Sequence, residues 1–202
     1  MRAVESAPRR VTGVVGGLVL VAVLAACSGG AGMQPPATEG SGDSTTPAGS
    51  GERIANPKDA TAVGVCELLP AEAASELGVQ QQGEKSTNEL GGSGTPACTW
   101  ESRDGLTSVA LSPAPDRSVR IYRKNRSQYV DYEEFEVGGY PVVRANKVKP
   151  MESGSCGMFI AAQENQLVQS FAAVPAEQVG KSDPCSLAEK ALELSVSSWP
   201  DA

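Results

Sequence analysis

ACTWESRDGLTSVALS, residues 97–112, is the stretch of this 202-residue chain that indicates the fold most clearly. Residues 97–102 and 106–112 read as two strands, and Asp104-Gly105 between them is a strong hairpin signal. Glycine supports a tight turn because it adopts a positive φ without steric strain. The stretch therefore predicts a β-hairpin and, with it, an antiparallel sheet.

Outward from the hairpin, four further segments read as strands, at 135–137, 142–145, 155–162 and 167–174. Helices are predicted at 66–78, where Gly78 suits the C-terminal stop, at 116–130 and from Asp183 onward. Asp183 is the expected N-cap of the last helix and Pro184 its first residue. The order predicts an α+β fold, in which short N-terminal, central and C-terminal helices pack on an antiparallel sheet stapled by two disulfides.

The disulfide prediction concerns the four cysteines left when Cys27 is set aside: Cys66, Cys98, Cys156 and Cys185. Four cysteines allow three pairings. We favour 66 with 98 and 156 with 185, because each pair ties a helix start to a strand nearby in the chain. Each bond would close a loop of about 30 residues, worth about 3–4 kcal/mol. A four-thiolate zinc site is the alternative, but it would need closely spaced cysteines, so we expect no metal and no cofactor.

The N-terminal segment has the pattern of an export signal. Arg2, Arg9 and Arg10 precede an uncharged run rich in Val, Leu and Gly, which ends in Leu24-Ala25-Ala26-Cys27. This ending resembles the bacterial lipobox, which implies cleavage before Cys27 and a diacylglyceryl group on its sulfur. The alternative is an uncleaved helix across the membrane, but only about 16 residues are apolar where about 20 are needed.

The predicted organisation is a lipoprotein signal peptide at 1–26, a disordered Gly/Ser/Thr/Pro tether at 27–53 and a single α+β domain at 54–202. Without residues 1–26 the chain keeps 14 of its 17 basic and 23 of its 24 acidic side chains, a formal net charge of −9. This acidic balance argues against nucleic acid as a partner. We expect the lipid anchor to hold the domain on the extracytoplasmic face of the cell membrane.

A series of short motifs follows the lipobox and the tether: Asn56-Pro57, Cys66-Glu-Leu-Leu-Pro70, Leu77-Gly78, Cys98-Thr-Trp100, Val137-Gly-Gly-Tyr-Pro-Val-Val-Arg144, Cys156 in a strand and Asp183-Pro-Cys185. Taken in order, these features resemble a known family, the small actinobacterial lipoproteins that carry domain of unknown function 3558. The resemblance covers about residues 54–200, and it implies an extracytoplasmic lipoprotein without implying any activity. More loosely, the architecture is similar to extracellular sensor domains of actinobacterial kinases.

Few residues of this chain offer catalytic chemistry. The chain has no histidine, which excludes Ser-His and Cys-His pairs and the commonest ligand of catalytic metals. The acidic run at 131–136, DYEEFE, could supply two carboxylates to a hydrolase of wall glycans, although such runs are usually solvated surface. We therefore expect no enzymatic activity.

One basic cluster, interleaved with tyrosines, is the candidate binding site: Arg117, Arg120, Lys124, Tyr122 and Tyr129. On a helix, residues 117, 120 and 124 would share a face and could meet an anionic wall polymer or lipid headgroups. The simpler interpretation is a solvated helix whose charges pair with the acidic run. Trp100 and Trp199 are expected in the core or at its rim.

The leading hypothesis is a non-enzymatic binding or accessory module that meets a small molecule, a wall polymer or an envelope protein from its membrane anchor. An apolar concavity lined by the sheet and the central helix would support ligand binding, and a fully packed sheet face would count against it. The alternatives are the wall-glycan hydrolase and a structural lipoprotein that docks a partner through an exposed apolar patch.

Overall fold

The structure, a computed structural model, describes residues 54–88 and 94–202, so the predicted signal peptide, Cys27 and the tether lie outside the described residues. Within them, seven strands form one antiparallel sheet in the order β1-β2-β3-β7-β6-β5-β4. This confirms the predicted α+β class. The strands are β1 (Glu84–Asn88), β2 (Thr95–Glu101), β3 (Ser108–Pro115), β4 (Asp131–Val137), β5 (Tyr140–Asn146), β6 (Ser155–Gln163) and β7 (Gln166–Ala173); the helices are α1 (Ala71–Glu76), α2 (Arg120–Lys124), α3 (Pro150–Ser153) and α4 (Pro184–Ser195).

The hairpin predicted at 97–112 is present as β2 and β3. Cys98 faces Leu111 and Trp100 faces Val109 across the pair, and all four side chains are fully buried. Gly105 takes a φ of +71° in the connecting turn, where a residue with a side chain would be strained. The alternation along β2 therefore sends Cys98 and Trp100 to one face of the sheet.

That face carries the larger hydrophobic core, beneath α1 and α4. Helix α4 begins as predicted, because the Asp183 carboxylate accepts a hydrogen bond from the Cys185 backbone N–H at 2.9 Å. Its contact with the sheet includes a hydrogen bond from the buried Ser170 hydroxyl to the Ala188 carbonyl. Trp100 and Trp199 are both core residues, and the indole of Trp199 donates to the Leu68 carbonyl at 3.0 Å. No helix in residues 54–88 or 94–202 is long and apolar enough to cross a bilayer.

The opposite face of the sheet carries a smaller core under α2. Here Val119 and Tyr122 pack on β5, β6 and β7 through Val143, Phe159 and Leu167. Helix α2 has only five residues, so it covers one part of this face and leaves the neighbouring part open.

Both preferred disulfides are confirmed, Cys66 with Cys98 and Cys156 with Cys185. The first ties the turn before α1 to β2, and the second ties β6 to the first turn of α4. Each bond therefore joins the larger core to the helix layer that covers it.

The N-terminal third differs from the prediction in two respects. The helix expected at 66–78 is divided into a 3₁₀ turn, Val65–Glu67, and α1, which begins after Pro70 because a proline ring blocks helical bonding to the preceding turn. Strand β1 is not among the predicted strands, since its side chains are polar and mostly exposed. Its backbone pairing with β2 forms the strand without an apolar pattern in the sequence.

The central helix is shorter than the predicted 116–130. Asp116 has a φ of +59°, which a helix does not accept, and the helix begins only at Arg120. It ends at Lys124, and the next residue, Asn125, donates to the Ile121 carbonyl both from its side-chain amide, at 2.8 Å, and from its backbone N–H, at 3.3 Å. Arg117 therefore precedes the helix, and the expected common face of residues 117, 120 and 124 is wrong.

Candidate functional site

A concavity of about 330 Å³ lies beside α2 on the partly covered face of the sheet. Its walls are aromatic: Tyr122 from α2, Tyr129 from the segment after it, Phe159 from β6 and Phe171 from β7. The rings of Tyr122 and Phe159 are stacked with centroids 3.7 Å apart, and Tyr129 is 6.1 Å from Tyr122. We call this site the tyrosine concavity; Ala145, Asn146, Lys147, Gly157 and Gln169 complete its lining.

Gly157 makes the floor of the tyrosine concavity. A Cβ placed there would lie 3.5 Å from Asn146 Oδ1 and 3.8 Å from Gln169 Nε2, both ordinary contact distances. The glycine is therefore not required by close packing, and its missing side chain is what leaves space between these two amides. Asn146 holds the floor in place, because its Oδ1 accepts from the Gly157 backbone N–H at 2.8 Å and its Nδ2 donates to Asp131 at 2.8 Å.

Gln169 is the one amide of the lining with an unused group. Its side chain is 3% exposed, and its Oε1 accepts a hydrogen bond from Asn88 at 2.6 Å. Its Nε2 is buried and has no hydrogen-bond partner among the residues that the structure describes. A buried donor left without a partner costs about 1–3 kcal/mol, so an acceptor that entered the concavity would recover that energy.

A larger groove, of about 790 Å³, lies between the end of α1 and the β2–β3 turn. Two of its polar side chains are bonded within the protein: Gln81 donates to the Ser75 hydroxyl at 3.0 Å, and Asp104 accepts from Ser102 and from the Leu106 backbone. Within the described residues its lining contains no buried side-chain polar atom that lacks a partner, and the tyrosine concavity is therefore the stronger candidate.

The structure brings together part of the predicted binding cluster. Tyr122 and Tyr129 are both in the walls of the tyrosine concavity, whereas Arg117, Arg120 and Lys124 are not in its lining. Arg120 is exposed and lies 4.0 Å from a Glu164 carboxylate oxygen. The tyrosines of the cluster thus belong to the site and its cations do not.

The acidic run 131–136 lies along β4, so its carboxylates alternate between the two faces of the sheet. Asp131 and Glu133, on one face, both bond to Arg144 at 2.9–3.0 Å. On the other face Glu134 bonds to Arg123 at 2.6 Å and accepts from the Tyr132 hydroxyl, and these bonds hold its pKa below its usual range. These three carboxylates act as partners of fixed cations and of a hydroxyl, the usual arrangement of structural ion pairs.

The tyrosines around α2 should ionise late in a pH titration. Burial raises the pKa of Tyr122 and Tyr129, and burial together with the bond to Glu134 raises the pKa of Tyr132 to about 12. Since an unfolded tyrosine ionises near pH 10, the neutral phenol stabilises the fold below that pH, and this contribution disappears as the pH rises towards 12.

We expect the near-ultraviolet absorbance of tyrosinate to show a late step in the folded protein that is missing from Tyr132→Phe. The chain unfolded in urea serves as the control, and its four tyrosines should ionise near pH 10. A Tyr132-dependent step near pH 10 in the folded protein would contradict the assigned environment.

Seven of the nine lining residues were not predicted from the sequence. Gly157 interrupts an otherwise apolar strand, and a glycine inside a strand often marks close approach by another group. Gln169 is a polar residue in the next strand, which is largely apolar. These two irregularities were the signals that the sequence offered. The other five residues gave none: Ala145, Asn146, Lys147, Phe159 and Phe171.

No group of three or more His, Cys, Asp or Glu side chains in the described part of the chain is arranged to hold a metal ion. The four cysteines there are bonded in pairs, which leaves no thiolates for the alternative zinc site.

Comparison with known proteins identifies a family without identifying an activity. No curated protein and no solved structure matches the chain. The sequence model of one family, described as protein of unknown function DUF3558, matches residues 22–198, which is most of the chain and nearly all of the folded domain. The chain therefore belongs to the DUF3558 family, as its motifs suggested.

Proposed function

We propose that this protein is a lipid-anchored binding module of the cell envelope, without enzymatic activity, that takes up a small ligand in the tyrosine concavity. The observation that carries the proposal is the concavity itself. It is formed by the sheet and the central helix, and at its base Gln169 Nε2 has no hydrogen-bond partner among the described residues.

The shape and lining of the concavity support ligand binding. Its volume of about 330 Å³ is at the lower end of the range for small-molecule sites, which are mostly apolar with a few polar groups that orient the ligand. Four aromatic rings supply the apolar surface, and an amide supplies a directed hydrogen bond. A rigid sheet also holds most of the lining, which reduces the entropy cost of binding.

The proposed location rests on the N-terminal sequence. Residues 1–26 would be removed, Cys27 would carry the lipid, and the segment 27–53 would act as a flexible tether with a reach of about 30 Å. The described part of the domain begins at Ile54, which packs against both hydrophobic cores, and Lys58 then donates its backbone N–H to the Ala162 carbonyl at 2.9 Å, near the end of β6.

The absence of an activity is supported by the chemistry of the side chains. The chain has no histidine, its cysteines in the domain are disulfide bonded, and three carboxylates of the acidic run are paired with arginines. These residues supply neither an activated nucleophile nor an unpaired acid and base on one face.

Native mass spectrometry of the full chain, purified from membranes, tests the proposal. We expect a small molecule to be retained by the wild-type protein and lost from Gly157→Val, because the valine side chain fills the floor of the concavity without a close contact at Cβ. Ser108→Val is the matched control. Ser108 is in β3, on the face of the sheet that carries the concavity, but outside the lining, so this variant should retain the molecule. Retention of the same molecule by Gly157→Val, or a wild-type protein without one, would count against the proposal.

A further inference from the structure

Among the side-chain amides of the tyrosine concavity, the group that remains available for a hydrogen bond is a donor. Both acceptor oxygens of its amides are already used within the protein, Asn146 Oδ1 by the Gly157 backbone and Gln169 Oε1 by Asn88. The Asn146 Nδ2 is used as well, by Asp131. Gln169 Nε2 is left at the base, and a ligand that satisfies it must present an acceptor.

The charge around the concavity also favours a ligand that carries acceptor groups. Lys147 lines the concavity, is exposed, and takes part in none of the salt bridges found in the described part of the chain. The lining contains no carboxylate, although the chain as a whole has a net charge of −7. A cation could be attracted by the aromatic faces, but it would meet the ammonium of Lys147 and no compensating acid.

The walls define the body of the ligand. The stacked pair of Tyr122 and Phe159 is buried and belongs to the smaller core, so these rings are fixed. Tyr129 is only half-buried and follows a 3₁₀ turn, and it is therefore the less constrained of the two tyrosine walls. A flat aryl group or a short acyl chain suits apolar walls of this kind, because its binding buries apolar surface on both sides.

We propose that the tyrosine concavity binds a small organic anion, a carboxylate with an aryl or short acyl body. Its oxygens accept a hydrogen bond from Gln169 Nε2 and pair with the Lys147 ammonium, and its body lies against the aromatic walls. This inference rests on the proposed binding function and adds the chemical class of the ligand to it.

The test compares two probes of the same shape, cinnamate and its neutral amide, cinnamamide, by titration calorimetry on the full chain in detergent, with empty micelles as the blank. We expect cinnamate to bind about fivefold to tenfold more tightly at low salt, the effect of about 1 kcal/mol from one partly exposed ion pair. Gly157→Val should abolish the binding of both probes.

Two lysine variants test whether Lys147 causes the preference for cinnamate over cinnamamide. Lys147→Gln should make the two affinities equal, because it weakens the binding of cinnamate and leaves that of cinnamamide unchanged. Lys149→Gln is the matched control, because Lys149 is two residues further on, is exposed, and pairs with Glu152 at 3.2 Å outside the lining; it should keep the preference. Far-ultraviolet circular dichroism of each variant checks that the fold is unchanged.

The outcomes separate the inference from the function on which it depends. Equal affinities in the wild type, or a preference that survives Lys147→Gln, would overturn the assignment of an anionic ligand. If Gly157→Val still abolishes binding in those cases, the concavity remains the binding site. Failure of both probes to bind the wild type would also overturn the inference, and the proposed function would then be decided by the mass measurement with Gly157→Val.

Discussion

Removal of the disulfide between Cys156 and Cys185 is expected to lower the free energy of unfolding by about 3–4 kcal/mol, in the variant Cys156→Ala/Cys185→Ala. The bond closes a loop of 29 residues, and without it the unfolded chain regains the conformational freedom of that loop. Both cysteines are buried between β6 and α4, where the bond also anchors the helix that covers the larger core. A domain of this size is typically stable by only about 5–15 kcal/mol, so the loss is a large share of the total.

Urea unfolding followed by tryptophan fluorescence measures this effect, because Trp100 and Trp199 are both in the larger core. The midpoint should fall while the slope with denaturant rises slightly, since the unlinked chain exposes more surface. The comparison variant is Cys66→Ala/Cys98→Ala, whose loop of 32 residues predicts a loss of similar size. A loss below about 1 kcal/mol in both variants would contradict the stabilising role of the two bonds.

The proposed lipid anchor on Cys27 predicts that replacement of this cysteine by alanine leaves nearly all of the protein without a lipid. Two acyl chains hold a protein stably on a bilayer where one chain is marginal, at about 0.8 kcal/mol for each buried methylene. Without the sulfur there is no site for the diacylglyceryl group, so the variant should be either uncut or released into the medium.

Fractionation of cells with detection of the protein in membrane and medium measures this effect, and the intact mass of the product shows whether the signal segment was cut. Ser28→Ala is the matched control, because it changes the next residue and leaves the cysteine in place. A Cys27→Ala protein that is cut at the same site and still bound to the membrane would refute lipid anchoring through Cys27.

Much of the fold was predictable because its signals are local. Asp104-Gly105 predicts the turn between β2 and β3, and the Asp183 N-cap predicts the start of α4; each depends on a few neighbouring residues. Where local signals were weak, the prediction failed. Strand β1 has no apolar alternation, and α2 starts late because Asp116 has a positive φ, which periodicity alone does not reveal.

The candidate site was predicted only in part. The tyrosines of the basic cluster were named from sequence, and they do line the concavity. Gly157 and Gln169 were not named, although they determine its floor and its unused donor. Their importance depends on the register between β6 and β7. Gly157 pairs with Phe171, and Gln169 pairs with Phe159, which is two residues after Gly157 in β6.

The sequence by itself determined the class of the fold, the family and the presence of an export pattern around Cys27, because these depend on composition, spacing and short motifs. Of the three pairings of the cysteines it only favoured one, and the tertiary structure decided between them. Only the tertiary structure decided that α2 covers just part of its face of the sheet, and that aromatic rings from α2, β6 and β7 meet there around Gly157 and Gln169. The physical reason is that a concavity is a property of packing between distant segments. Its walls come from residues as far apart in the chain as Tyr122 and Phe171. The register of the sheet places Phe171 beside Gly157, and the packing of α2 on Phe159 adds Tyr122.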